Sequence, residues 1–378
     1  MESLEVYRYF EGRLDSILSL IREIVEIESP SHDCGKSREV AALIERRFRE
    51  LGGDISVERE TVDDGEHLII RAFSSDEKPA LVLGHTDTVH PLGSCDINPT
   101  RIEGDKFYGC GIFDMKANIV LALEAFRYFI GTGQRPARPI NVVLSCDEEI
   151  GSHTGRAIVE REAAASEYCL VLEPSADGMV KTGRKGTGMY SIRAHGAPAH
   201  AGLEPDKGAN AIVELARQIP RIQELADRAS GTTVNVTTIK GGTASNVIPE
   251  FAECEVDVRF STEAEAERID TAVRGLTATD DRILLNIVGG INRPPMERTG
   301  DVIHLFGRAA GLAAGFGYEL NETQVGGASD GNFVAAMGVP LIDGLGVSGS
   351  GAHMMTEHIK VSDIIPRATL ITVLLGEM

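Results

Sequence analysis

ALVLGHTDTV, residues 80–89, is an apolar, β-branched run that breaks into a polar terminus carrying His85. Two further stretches share this design: VLSCDEEIGS (143–152), with Glu149, and LVLEPS (170–175), with Glu173. YGCGIFDMKA (108–117) supplies Asp114, and GSGAHMMTE (349–357) supplies His353. In an open α/β sheet the carboxyl ends of the strands form the ligand crevice. Two imidazoles and three carboxylates meeting there would be costly without a cation. The chain therefore reads first as a metalloenzyme with a two-metal centre, in a doubly wound, mostly parallel α/β fold.

Working outward, a helix is predicted from about Lys36, with Val40, Leu43, Ile44, Phe48 and Leu51 at helical spacing and Gly52–Gly53 ending the pattern. Strands are expected at 67–73, 80–84, 140–146 and 168–173, and helices at 116–130 and 154–165. After about Gly186 the pattern changes. Strands at 188–195, 232–239, 251–260 and 283–288, with helices at 210–222 and 263–276, make β-α-β-β-α-β, the ferredoxin-like split motif. The expected organisation is a catalytic domain of residues 1–186 and 292–378, interrupted by an inserted α+β domain, 187–291. Neither an internal repeat nor a low-complexity segment is evident.

The 378 residues suit two domains. A net charge of −20 repels phosphate backbones and anionic lipid, so nucleic acid and membrane surfaces are poor partners. No CxxC pair occurs among the six cysteines, and the charged N-terminus has no apolar signal core. A reducing cytoplasm is the expected compartment.

Each motif alone has a commonplace alternative. A histidine after a strand is often a hydrogen-bonded loop residue, and Glu-Pro is common at strand exits. His85 and Asp87, two apart on an extended segment, face the same side, so the Asp87 carboxylate can fix the tautomer of His85. Asp147, Glu148 and Glu149 could be a solvated loop, but they close the apolar run INVVLSC. GCGIFD lacks the third glycine of a dinucleotide loop, and its glycines instead let the backbone turn ahead of Asp114. His200 alone reads as a solvent-exposed loop histidine, and Arg259 as an edge charge. Arg184 and Lys185 in GRKG could contact an acidic substrate group or lie in a solvated loop.

In order along the chain, GHTDTV, GCGIFDMK, CDEEIGS, the LEP of LVLEPS, GAPAHAG, TASNVIP, the Arg of EVDVRF, GGASDGN and GAHMMTE resemble a known series. It is that of the di-zinc metallopeptidase family of glutamate carboxypeptidase, acetylornithine deacetylase, succinyl-diaminopimelate desuccinylase and aminoacylase. The resemblance runs nearly end to end. It implies two zinc ions, with cobalt or manganese as substitutes. Asp114 would bridge them, His85 and Glu173 completing one site and Glu149 and His353 the other. It implies Glu148 as general base, Asp87 as the partner of His85, His200 as an oxyanion donor, and Asn246 and Arg259 as holders of a substrate carboxylate. It also implies a cis Asp114–Met115 peptide and a homodimer in which the inserted domain acts as lid and dimerisation surface.

Two positions discriminate. Many relatives carry Arg where this chain has Cys110. Glu173, rather than Asp, resembles the carboxypeptidase and deacylase branch more than the aminopeptidase branch. The expected activity is zinc-dependent hydrolysis of an amide bond in a small-molecule or dipeptide-like substrate with a free carboxylate, of glutamate-carboxypeptidase type. The alternative is an N-acyl-amino-acid deacylase such as acetylornithine deacetylase. A metal-free scaffolding relative and a nicotinamide oxidoreductase are the competing classes.

Overall fold

The computed structural model describes residues 2–378. The chain divides into two compact units, one of Met1–Gly183, Arg298–Gln324 and Ser329–Met378, the other of Arg184–Glu297 and Val325–Ala328.

The first unit is built on a six-stranded sheet. Its order is Ile55–Val62, Gly65–Ala72, Ile140–Ser145, Ala80–His85, Tyr168–Val171 and Leu341–Ile342. The last four strands are parallel to one another, and the first two form an antiparallel hairpin at one edge. Ala80–His85 and Ile140–Ser145 are buried at every position. That is why they read as unbroken apolar runs: parallel strands are covered on both faces. Ala80, Val82, Val142 and Leu144 join the main core, which also contains the helix Ala117–Thr132. The helix Gly155–Ala164 packs on the same two strands.

Ala117–Thr132 is Ala-, Leu- and Ile-rich and almost wholly buried, packed against Leu14–Val25 and Ile364–Glu377. It stops at Gly133, whose φ of 71° suits glycine at a helix end. The helix predicted from Lys36 begins at Cys34, because the Asp33 carboxylate accepts the Lys36 N–H at 2.9 Å. The helices Ser3–Glu11 and Leu14–Val25 and the strand Ile55–Val62 are additions to the sequence expectation.

The second unit is a four-stranded antiparallel sheet in the order Thr233–Gly241, Phe251–Phe260, Gly186–His195, Leu284–Arg293. Helices Ala211–Gln223 and Glu263–Arg274 complete the split β-α-β-β-α-β motif. Strict alternation along Phe251–Phe260 puts Ala252, Cys254, Val256, Val258 and Phe260 in a separate core. Gly186 leaves room for this core, since a Cβ there would lie 2.1 Å from the Phe260 ring.

This unit starts three residues before the boundary expected from sequence and ends at Glu297 rather than 291. Arg184 and Met296 exchange backbone hydrogen bonds, 3.0 Å each way, which closes its two ends. The expected last strand is longer too, running to Arg293. The solvated-loop alternative for Arg184 is corrected here. Arg184 is 4% exposed, and its guanidinium donates to the carbonyls of Gly327 and Ala328. Among the described residues, no helix is long and apolar enough to cross a membrane.

Candidate metal centre

The strands Ile140–Ser145, Ala80–His85 and Tyr168–Val171 lie side by side and parallel, so their carboxyl ends open on one edge. Glu148 and Glu149 follow the first, His85 ends the second, and Glu173 follows the third.

His85 is 1% exposed. Its Nδ1 donates to the Asp87 backbone carbonyl at 2.9 Å, while the Asp87 carboxylate lies 3.4 Å away. Nδ1 thus faces both the main-chain carbonyl and the carboxylate of Asp87, and the main-chain contact is the shorter of the two. The Asp87 carboxylate also accepts the backbone N–H groups of Glu148 (3.2 Å) and Glu149 (3.1 Å) and the Ser31 hydroxyl (2.8 Å). It anchors the short helical turn Glu148–Ile150 beside the histidine.

His85 Nε2 lies 3.2 Å from Asp114 Oδ1 and 3.6 Å from Glu173 Oε1. The other Asp114 oxygen, Oδ2, lies 3.5 Å from His353 Nε2, which is also 3.2 Å from Glu149 Oε2. One carboxylate therefore faces two histidines, each with its own glutamate. Glu148 joins His85 and Glu173, the three offering atoms within 4.8 Å of one another. The Asp114–Met115 peptide is cis. Ahead of it Gly111 sits at φ 68°, where a Cβ would lie 2.4 Å from the Thr88 methyl, so the turn needs glycine.

The electrostatics point the same way. Burial alone would lower the pKa of His85, but hydrogen bonds to Asp114 and Asp87 raise it well above the ordinary value. Hydrogen bonds to Asp114 and Glu149, opposed by burial, push His353 up to about 10. Burial works to raise Asp114, and hydrogen bonds from His353 and His85 outweigh it, leaving its pKa lowered. Even with both imidazoles charged, the carboxylates of Asp114, Glu148, Glu149 and Glu173 leave a negative excess. Two divalent cations on neutral imidazoles would balance it. Glu149 Oε1 is buried with no hydrogen-bond partner among the described residues, as an oxygen reserved for a cation would be. The donor set fits a metal pair.

Residues 182–282 match the peptidase dimerisation domain family. The chain is 28% identical over 362 residues to carboxypeptidase G2 of Pseudomonas sp. (strain RS-16), covering 93% of this chain and 86% of that protein. It is 32% identical over 324 residues to succinyl-diaminopimelate desuccinylase of Paracidovorax citrulli (strain AAC00-1), covering 78% and 80%. Its fold is similar to that of an M20 family metallo-carboxypeptidase, Sso-CP2, from Sulfolobus solfataricus. There the TM-score is 0.74 and the identity 16%, over 95% of this chain and 98% of that one. The chain belongs to the M20 family of metallopeptidases.

As an M20 member it is a metal-dependent hydrolase of amide bonds. Its remaining three candidate residues lie in the second unit. His200 is exposed, and its Nδ1 accepts the N–H groups of Gly202 and Leu203 at 3.2 Å, which leaves the ring proton on Nε2. Asn246 sits beside it, its carbonyl accepting the Ala201 N–H at 2.9 Å. The ladder of Ala199–His200 with Val247–Ile248 brings the two segments together. Arg259 already grips the Asp257 carboxylate, two residues back on the same strand face, at 2.8 and 3.1 Å. Its side chain is 35% exposed.

Two residues of this centre were given no role from sequence. Glu357 lies inside the GAHMMTE motif, and His90 follows GHTDTV directly. Their signal, a carboxylate four residues after His353 and a histidine five after His85, is visible but has no meaning until the chain folds. Cys110 is buried, and a hydrogen bond with the Cys95 thiol brings its pKa down to about 7.

Proposed function

We propose that this protein is a two-zinc amidohydrolase of the carboxypeptidase type, cleaving the amide bond next to a free carboxylate in a small, dipeptide-like substrate. The observation that carries the reading is Asp114, whose two oxygens face two separate His–Glu pairs. His85 and Glu173 would hold one zinc, His353 and Glu149 the other, and Asp114 both, with cobalt or manganese as substitutes. Bound zinc supplies Lewis acidity, polarising the scissile carbonyl and lowering the pKa of water.

The protein's own groups supply the rest. Glu148 takes a proton from the attacking water and returns it to the leaving amine. Asp87, bound to the Glu148 and Glu149 backbone, keeps base and ligand in register. His200, with its proton on Nε2, donates to the developing oxyanion. Asn246 and Arg259 receive the substrate carboxylate, Arg259 by exchanging or sharing Asp257 for it. The matched dimerisation domain supports a homodimer. Six free cysteines accord with a reducing compartment such as the cytoplasm.

A second reading, an N-acyl-amino-acid deacylase, is favoured by the 32% identity to a succinyl-diaminopimelate desuccinylase. A hydrolysis screen with zinc or cobalt separates the two. Turnover of C-terminal dipeptides, lost on amidating their carboxylate, supports the peptidase. Turnover confined to N-acyl amino acids supports the deacylase, and turnover of neither overturns both.

A further inference from the structure

The loops bearing His85, Asp114 and His353 converge on one buried side chain, Glu357, which is 0% exposed. Its Oε2 accepts the Gly111 N–H at 2.8 Å and faces His90 Nε2 at 2.6 Å. Its Oε1 accepts the N–H groups of Phe113 at 2.8 Å and Asp114 at 2.9 Å. Its backbone carbonyl accepts the Gly109 N–H at 3.2 Å. The next residues, His358–Lys360, pair with Lys106–Tyr108, the strand that leads into the Asp114 turn. A carboxylate with two acceptor sites per oxygen is thereby satisfied in full.

We propose that Glu357 is a positioning residue for the metal centre. It clamps the Gly111–Asp114 turn so that the two Asp114 oxygens are presented to different histidines before any metal arrives, and His90 braces the clamp. The inference rests on the two-metal reading for its consequence, though not for the clamp itself. Glu357 touches neither substrate nor metal ligand side chain. It acts through the backbone of Asp114, and by its place in the chain it ties that backbone to the loop of His353, four residues earlier. His90, five residues after His85, adds the third loop. Three of the turn's N–H groups, those of Gly111, Phe113 and Asp114, find their acceptor in this one carboxylate, so the turn depends on it.

Glu357→Gln preserves volume but replaces one acceptor oxygen with a donor, so at least one of the turn's N–H groups then meets another N–H. Two readouts are expected to move. In the metal-free protein, amide hydrogen exchange over residues 109–115 should quicken by roughly tenfold, with the rest of the core unchanged. Competition with a zinc chelator should show metal affinity reduced by about 10- to 100-fold. His90→Ala should move both in the same direction, and His90→Gln, which keeps a donor, should recover most of the loss. A folded Glu357→Gln protein with wild-type exchange and wild-type affinity overturns the proposal. If that variant fails to fold, an unaltered His90→Ala overturns it instead. Wild-type protein that binds no second metal ion would sink the two-metal reading, while the exchange experiment on metal-free protein still decides the clamp.

Discussion

Asp114 joins the two histidines of the centre, because its oxygens diverge toward His85 and His353. Asp114→Ala should lower the bound metal from two ions toward none, as read by elemental analysis of dialysed protein, since one carboxylate serves both sites. Retention of both ions would remove its bridging role. The neighbouring glutamates should separate cleanly. Glu149→Ala should lose metal, whereas Glu148→Ala should keep it and lose about a hundredfold to ten-thousandfold in kcat. The reverse pattern would exchange their roles. Protons supply a third test. His353 is raised from 6.5 to about 10, so in the metal-free protein its proton stabilises the fold fully below pH 6.5, and that contribution disappears as pH rises through about 10. Metals take neutral imidazole, so loading near neutral pH must expel this proton and that of His85. Calorimetry in buffers of different ionisation enthalpy should show release of about two protons and affinity rising with pH. Zero release would contradict it. The identities of these residues were legible in sequence. Which oxygen faces which histidine was not, since that depends on side-chain directions set by distant neighbours.

At the scale of elements, the proposed base Glu148 and the candidate ligand Glu149 stand on the short turn Glu148–Ile150 between a buried strand and the helix Gly155–Ala164. Asp147, 0% exposed, fixes the junction. Its carboxylate accepts the Thr154 N–H at 2.7 Å, the Thr154 hydroxyl at 2.8 Å and the Gly155 N–H at 3.2 Å. Asp147→Ala would remove the acceptor of all three donors, of which the Gly155 N–H is buried and those of half-buried Thr154 are partly so. Hydrogen bonds to charged acceptors contribute ~1.5–3 kcal/mol each, and losses within one cluster do not simply add, so a destabilisation of about 3 kcal/mol is expected. A urea midpoint equal to wild type would show that the helix start does not need it. The sequence marked the strand end and the helix here through composition. It left the acidic run ambiguous, because Asp147, Glu148 and Glu149 look alike as letters. In the fold Asp147 turns into the helix, while Glu148 and Glu149 lie among the histidines.

For the whole molecule, the second unit has its own core and backbone bonds that bring its ends together. With the dimerisation-domain match, this favours a homodimer, testable by light scattering, which should report the mass of two chains. His200→Ala should lower kcat with metal content unchanged. Mixed with Glu148→Ala protein, it should regain activity if the histidine serves the partner's centre, and stay inactive if it serves its own. Normal kcat in His200→Ala would end the role altogether. The sequence by itself marked the parallel sheet, the split β-α-β-β-α-β motif and five candidate ligands, because strand and helix periods, glycine turns and residues at strand exits are local properties of the chain. Only the tertiary structure decided that Asp87 binds the Glu148 turn, that Arg184 is buried, and that Glu357 clamps Asp114 across 243 residues. Those bonds join segments far apart in the chain, and no local pattern records which donors will be brought to a given carboxylate.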